Sequence, residues 1–125
     1  MAKHETCTKR IEMPQVKLEA YPSLFAFLNM RGVTVSEHIL PVYMLRTKQC
    51  KDHLRPTRRL ELVRTKPMLV SLDMYVLDGN HRWARFMQDD PKQHVKFFRT
   101  SCSFKEACGH LFAFPETYTT EFIPA

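Results

Sequence analysis

Apolar and polar positions along this chain fall into short runs of changing period, most of them bounded by glycine or proline. Tyr21-Pro22-Ser23 opens an apolar cluster of Leu24, Phe25, Phe27 and Leu28 that closes at Gly32. Proline in the first turn and glycine past the end predict a short core helix. Residues 33–45 are rich in β-branched and aliphatic side chains, but Pro41 lacks the amide a central strand would use. That run is expected at a sheet edge or running into a turn. Arg55-Pro56-Thr57 restarts the chain, and Leu60 and Val63 then recur at helical spacing with arginines outside them, predicting a short basic helix over 57–64.

Residues 68–72 and 74–77 are apolar, partly β-branched runs separated by little more than Asp73, and they should pair as a hairpin. The second run leads into Asp78-Gly79-Asn80, after which Trp83, Phe86 and Met87 fall at i, i+3 and i+4 before Pro91. Strand, tight glycine turn and helix are therefore expected in succession. Residues 95–99 form a further strand candidate. Ser103-Phe104-Lys105-Glu106 reads as a capping box opening a helix whose apolar face is Phe104, Ala107, Cys108 and Leu111. Residues before Lys17 show no clean period and are interrupted by Pro14, which predicts an arm lying on the surface or partly mobile.

At 125 residues, with 44% hydrophobic and 26% charged side chains, the chain suits one folded domain rather than a disordered segment. No stretch approaches the roughly 20 apolar residues that span a bilayer, and residues 1–11 are polar and charged unlike a signal peptide. A cytoplasmic location without membrane contact is the expectation. Four cysteines, Cys7, Cys50, Cys102 and Cys108, are then read as free thiols. A zinc quartet of Cys50, His53, Cys108 and His110 can be assembled on paper, with poor spacing.

The net charge of +6 and a pI near 9.3 favour anionic partners. Between residues 46 and 66 eight basic side chains face only Asp52 and Glu61, which makes either a solvated face or an anion-binding surface. The sharper chemistry lies in Asp78-Gly79-Asn80-His81-Arg82. Amides opening a helix have no intrahelical partner and sit at the positive end of its dipole. Gly79 would let an anion approach, and His81 and Arg82 would add side-chain donors. Asp78 fits plain anion binding badly and would need a task such as holding Mg²⁺, orienting His81 or accepting a proton. The alternative on local physics is a helix capped by Asp78 and Asn80, with His81 and Arg82 solvated.

The run Lys66-Pro67-Met68-Leu69-Val70 followed by Tyr75-Val76-Leu77-Asp78-Gly79-Asn80-His81-Arg82-Trp83 resembles the hairpin and helix of the ParB/sulfiredoxin superfamily. It is most similar to the D-G-x-H-R-W subgroup that includes ADP-dependent free serine kinases. Ile39-Leu40-Pro41-Val42-Tyr43-Met44-Leu45 is also similar to that superfamily's entry strand. The resemblance implies a compact α+β domain over 21–115, with a small mixed sheet and flanking helices, between an arm (1–20) and a tail (116–125). It implies that Gly79, Asn80, His81 and Arg82 line nucleotide phosphates, that Arg55, Thr57 and Arg58 add nucleotide contacts, and that Asp78 is an essential acid able to hold Mg²⁺. ATP, ADP or CTP would be the nucleotide.

Three departures narrow this expectation. Sulfiredoxins carry their reactive cysteine where Asn80 stands, and none of the four cysteines replaces it. The residues after Ser101 offer one capped helix rather than the helix-turn-helix reader of partition proteins. The kinases' glutamate base falls in Lys48-Gln49-Cys50-Lys51-Asp52-His53, where Asp52 and His53 are the nearest substitutes. Three function classes follow: a nucleotide-dependent phosphotransferase or nucleotide hydrolase with Asp78, His81, Asp52 and His53 as catalytic candidates; a ParB-like nuclease or DNA-backbone binder; and a noncatalytic binding module, of the kind a phage would encode.

Overall fold

A computed structural model of the protein describes residues 7–120. A mixed four-stranded sheet sits between two helical layers, which makes the domain α+β as expected. The elements are α1 (Tyr21–Met30), β1 (Val35–Pro41), α2 (Leu60–Thr65), β2 (Met68–Val70), β3 (Val76–Asp78), α3 (Asn80–Asp89), β4 (His94–Thr100) and α4 (Phe104–Ala113). The strand order is β1-β4-β2-β3. β4 runs antiparallel to β1 and parallel to β2, and β2 and β3 form the expected antiparallel hairpin, with an irregularity between Leu69 and Val70.

The period of two along the inner strands divides the core, because successive side chains point to opposite faces. Leu69 and Leu77 enter the cluster beneath α1 and α4, with Tyr21, Leu24, Leu28, Ala107 and Leu111. Met68, Val70, Val76, Val95 and Phe97 enter the other cluster, covered by Trp83, Phe86 and Met87 of α3. β1 is an edge strand with Ile39 61% exposed, and Pro41 closes its ladder opposite His94, where a missing amide disrupts nothing further on.

Local capping explains where α4 begins. Ser103 and Glu106 form the predicted reciprocal cap on α4. Asp73 in the β2–β3 turn accepts from the Phe104 amide (3.0 Å) and from the Ser71 hydroxyl, which ties the hairpin to the start of α4. Met74, at φ 71°, turns the chain through the left-handed region there. α2 overlaps the stretch 57–64 expected to be a basic helix, starting three residues later and ending one later; the side chain of Leu60 lies outside the described part, as do residues 1–6 of the arm and 121–125 of the tail.

Two expectations change. The described part of the arm is a wall of the domain: Met13 and Val16 are buried, and Gln15 pairs with Tyr118 through two backbone hydrogen bonds of 2.9 Å. The sequence hides this because the buried positions are too few and too irregular to set a period. Thr8 also bridges Gln49, which brings Cys7 and Cys50 together in a disulfide, so only Cys102 and Cys108 are free thiols. A separation of 43 residues carries no local signal of such a pair. Cys50 is thereby removed from the paper zinc quartet, and among the described residues no group of three His, Cys, Asp or Glu side chains could hold a metal ion.

None of the described helices is long and apolar enough to cross a membrane. The two-faced core predicts that Phe97→Ala costs about 3–5 kcal/mol in urea unfolding, whereas Ile39→Ala at the exposed edge changes stability by less than about 0.5 kcal/mol.

Candidate functional site

β3 delivers Asp78 to the sheet end, and Gly79 (φ 113°, ψ 21°) turns the chain directly into α3. A Cβ at this position would stand 2.8 Å from Met68 Cγ and 2.9 Å from the Arg82 guanidinium, so glycine is required for chirality and for space. Arg82 itself curls back over the turn. The sequence-based expectation aimed its guanidinium at phosphate; instead it donates to the carbonyls of Lys66 (2.5 Å) and Pro67 (3.3 Å) and pairs with Asp78 at 3.4 Å.

Asp78 is the centre of this arrangement. One carboxylate oxygen accepts from the Tyr21 hydroxyl (3.0 Å) and the Val16 amide (3.3 Å) and pairs with Lys66 Nζ (3.3 Å). The other faces Arg82. The side chains of Asp78, Arg82 and Lys66 are only 4%, 7% and 11% exposed. Burial lowers the Lys66 pKa, against the opposing pull of Asp78, and burial raises that of the Tyr21 hydroxyl well above its usual value. A Mg²⁺ ion at Asp78 would have to displace two cations and two neutral donors, so the residues present do not fit that role.

This buried triad opens on a cavity of about 200 Å³ at the start of α3, lined also by Arg10, Gln49, Thr57, Arg59, His81 and Tyr118. Its walls carry Arg10, Arg59, Lys66 and Arg82 against the single carboxylate of Asp78, an excess of three positive charges. Arg10 Nε is the one buried side-chain polar atom among the described residues without a hydrogen-bond partner, and burial lowers the Arg10 pKa. No side chain caps the first turn of α3, whose amides belong to residues lining the cavity.

The other expected site residues divide into three groups. His81 is clamped: Gln49 Nε2 donates to its Nε2 (3.2 Å) and to the His53 carbonyl (2.7 Å), while the ring also bonds the Arg55 backbone. Burial, then the Arg10 charge, depresses its pKa to about 4, so the ring is neutral near pH 7 with its Nε2 held by Gln49. Asn80 is buried and structural, accepting from Thr47 Oγ1 (2.6 Å) and donating to the Val76 carbonyl (3.2 Å). Asp52 is exposed and His53 accepts from the Arg10 amide (3.2 Å); neither lines the cavity.

Arg55, Thr57 and Arg58 line an adjacent open groove of about 620 Å³ with Arg85, Gln88 and Asp89. Thr57 belongs to both spaces, held by its amide on the His81 carbonyl (3.0 Å) and by Arg85 on its own carbonyl (3.1 Å). Sequence reasoning missed Arg10, Gln49, Lys66 and Tyr118 as cavity residues. Lys66 stood inside the basic run, but Arg10 and Tyr118 arrive only through the pairing of the arm with the tail.

No protein-family model matches the sequence, and no curated protein or solved structure does either. The chain is thus defined by its own geometry, an α+β domain with a cationic cavity where a glycine-capped helix begins.

Two measurements test this reading of the site. Asp78→Asn leaves Lys66 and Arg82 buried without their counter-charge and should cost about 3–5 kcal/mol in chemical denaturation. His81 has a folded pKa of about 4, below the roughly 6.5 of an exposed imidazole. Between those values the unfolded chain binds a proton that the folded one refuses. Its contribution is therefore intact above pH 6.5 and is lost as the pH falls toward 4, by no more than about 2 kcal/mol after allowance for a partly exposed ring. His81→Gln should flatten that part of the stability profile.

Proposed function

We propose that this protein is a nucleotide-binding domain of ParB/sulfiredoxin-like type that holds its ligand's phosphates in the cavity at the start of α3. The observation that carries the reading is the charge imbalance at the Asp78 triad. One carboxylate stands between two buried cations, two further arginines line the same space, and no second acid does among the described residues. An oxyanion would supply the missing counter-charge and accept from the helix-opening amides. Asp78 then has a task that simple anion binding left open: it holds Lys66 and Arg82 in place.

A volume of about 200 Å³ suits a phosphate group rather than a whole nucleotide, and the groove sharing Thr57 offers room for the remainder beside Arg55 and Arg58. The candidate ligands are ATP, ADP and CTP. Phosphotransfer or hydrolysis asks in addition for a base with a free lone pair near the phosphates. The Asp78 oxygens and the His81 Nε2 are engaged, and Asp52 and His53 lie outside the cavity, which favours binding without turnover. A second reading, contact with a nucleic-acid backbone, draws on the exposed Arg55, Arg58, Arg59 and Arg64 around α2.

Titration calorimetry with ATP, ADP, CTP and GTP should give a saturable one-site signal for at least one nucleotide. EDTA should leave the affinity unchanged, because protein cations rather than Mg²⁺ neutralise the phosphates. Arg59→Ala should weaken binding about tenfold, the worth of one charge-assisted hydrogen bond. No signal with any nucleotide would overturn the proposal, and a steep salt-dependent affinity for duplex DNA instead would favour the second reading.

A further inference from the structure

The disulfide joins the two walls of the cavity at their shared edge. Cys7 lies three residues before Arg10 on one wall, and Cys50 adjoins Gln49 on the other. Between them the Thr8 amide donates to the Lys48 carbonyl (2.5 Å) and the Cys50 amide to the Thr8 carbonyl (2.9 Å). The single turn Arg10–Glu12 that follows buries none of its residues, so polar contacts and the disulfide are what hold it among the described residues. From Met13 onward the arm is anchored differently, with Val16 fully buried against the Asp78 triad.

Opening the disulfide would therefore leave residues 8–12 held by the Thr8–Lys48, Thr8–Cys50 and Arg10–His53 hydrogen bonds alone, loosening that segment while the rest of the arm stays docked. Arg10 is the cavity residue on that segment, and its buried Nε has no hydrogen-bond partner among the described residues. We infer that the Cys7–Cys50 disulfide is a redox latch that presents Arg10 to the phosphate cavity, so that the oxidised protein binds phosphate-bearing ligands more tightly than the reduced one. The step is a thiol–disulfide exchange: a dithiol reductant delivers two electrons and two protons, its own sulfurs close into a disulfide, and Cys7 and Cys50 become thiols. Cys102 and Cys108, already thiols, do not take part. This inference rests on the anion-binding reading of the cavity.

The test compares oxidised protein, protein reduced with dithiothreitol, and a Cys7→Ser, Cys50→Ser double variant that cannot reform the bond. Titrated with ATP and with inorganic phosphate, both opened forms should bind about tenfold more weakly than the oxidised form. Arg10→Ala should bind like the reduced protein and should show no further loss on reduction. Amide hydrogen exchange read on the same samples should rise over residues 8–12 and stay unchanged at Val16. Equal affinity of the oxidised and reduced forms overturns the latch, as does a redox effect that persists in Arg10→Ala. Absence of binding in every form sinks the anion reading and the latch's function together, while unchanged exchange over 8–12 shows separately that the bond does not hold the segment.

Discussion

A carboxylate taken out of water must be met by donors and counter-charges, and Asp78 is met from four parts of the chain. Tyr21 at the start of α1, the Val16 amide in the arm, Lys66 before β2 and Arg82 in α3 converge on its two oxygens. The convergence fixes where the arm lies, how α1 leans on the sheet end, and how α3 leaves the β3 turn. It also explains Gly79, whose missing side chain is the space the Arg82 guanidinium occupies. The cavity beside it is a by-product of satisfying one buried acid with more than one cation.

That constraint changes the meaning of the residues that look catalytic. A histidine and an aspartate beside a helix N-terminus suggest proton transfer, yet each is already spent on holding structure. Asp78 is saturated with donors, and His81 is locked as a neutral ring between Gln49 and the Arg55 backbone. What is left unsatisfied is positive charge and donor capacity: the uncapped first turn of α3, Arg59 at the rim, and the orphaned Nε of Arg10. The donors and cations already gathered on Asp78 repel a further cation, which is why a metal role for Asp78 does not fit its surroundings.

Much of the fold was legible in the sequence because it rests on local rules. The apolar cluster between Pro22 and Gly32, the hairpin around Asp73, the Ser103 capping box and the edge strand ending at Pro41 each declare themselves by period, cap or missing amide, and each is found within a few residues of its expected place. Within the candidate site, Asp78 to Arg82 were legible as a group, since a strand, a glycine and a helix in succession bring them to one point, whereas Thr57 was expected only from the family resemblance. Their orientations were not, because the Lys66 carbonyl that draws Arg82 back and the Gln49 amide that clamps His81 lie 16 and 32 positions away.

The sequence by itself determined most of the helices and strands and the strand–glycine–helix junction at Gly79, because helix ends and turns are written in contiguous residues. Only the tertiary structure decided that the arm is a wall, that Cys7 meets Cys50, that Arg10 and Tyr118 reach the cavity, and that Asp78 serves as counter-charge. Those outcomes depend on contacts between segments 33 or more residues apart for most of the pairs involved, such as Thr47 with Asn80, Cys7 with Cys50 and Tyr21 with Asp78. Such contacts are set by which surfaces remain to be buried once the local elements have formed, and no periodicity in the chain records them.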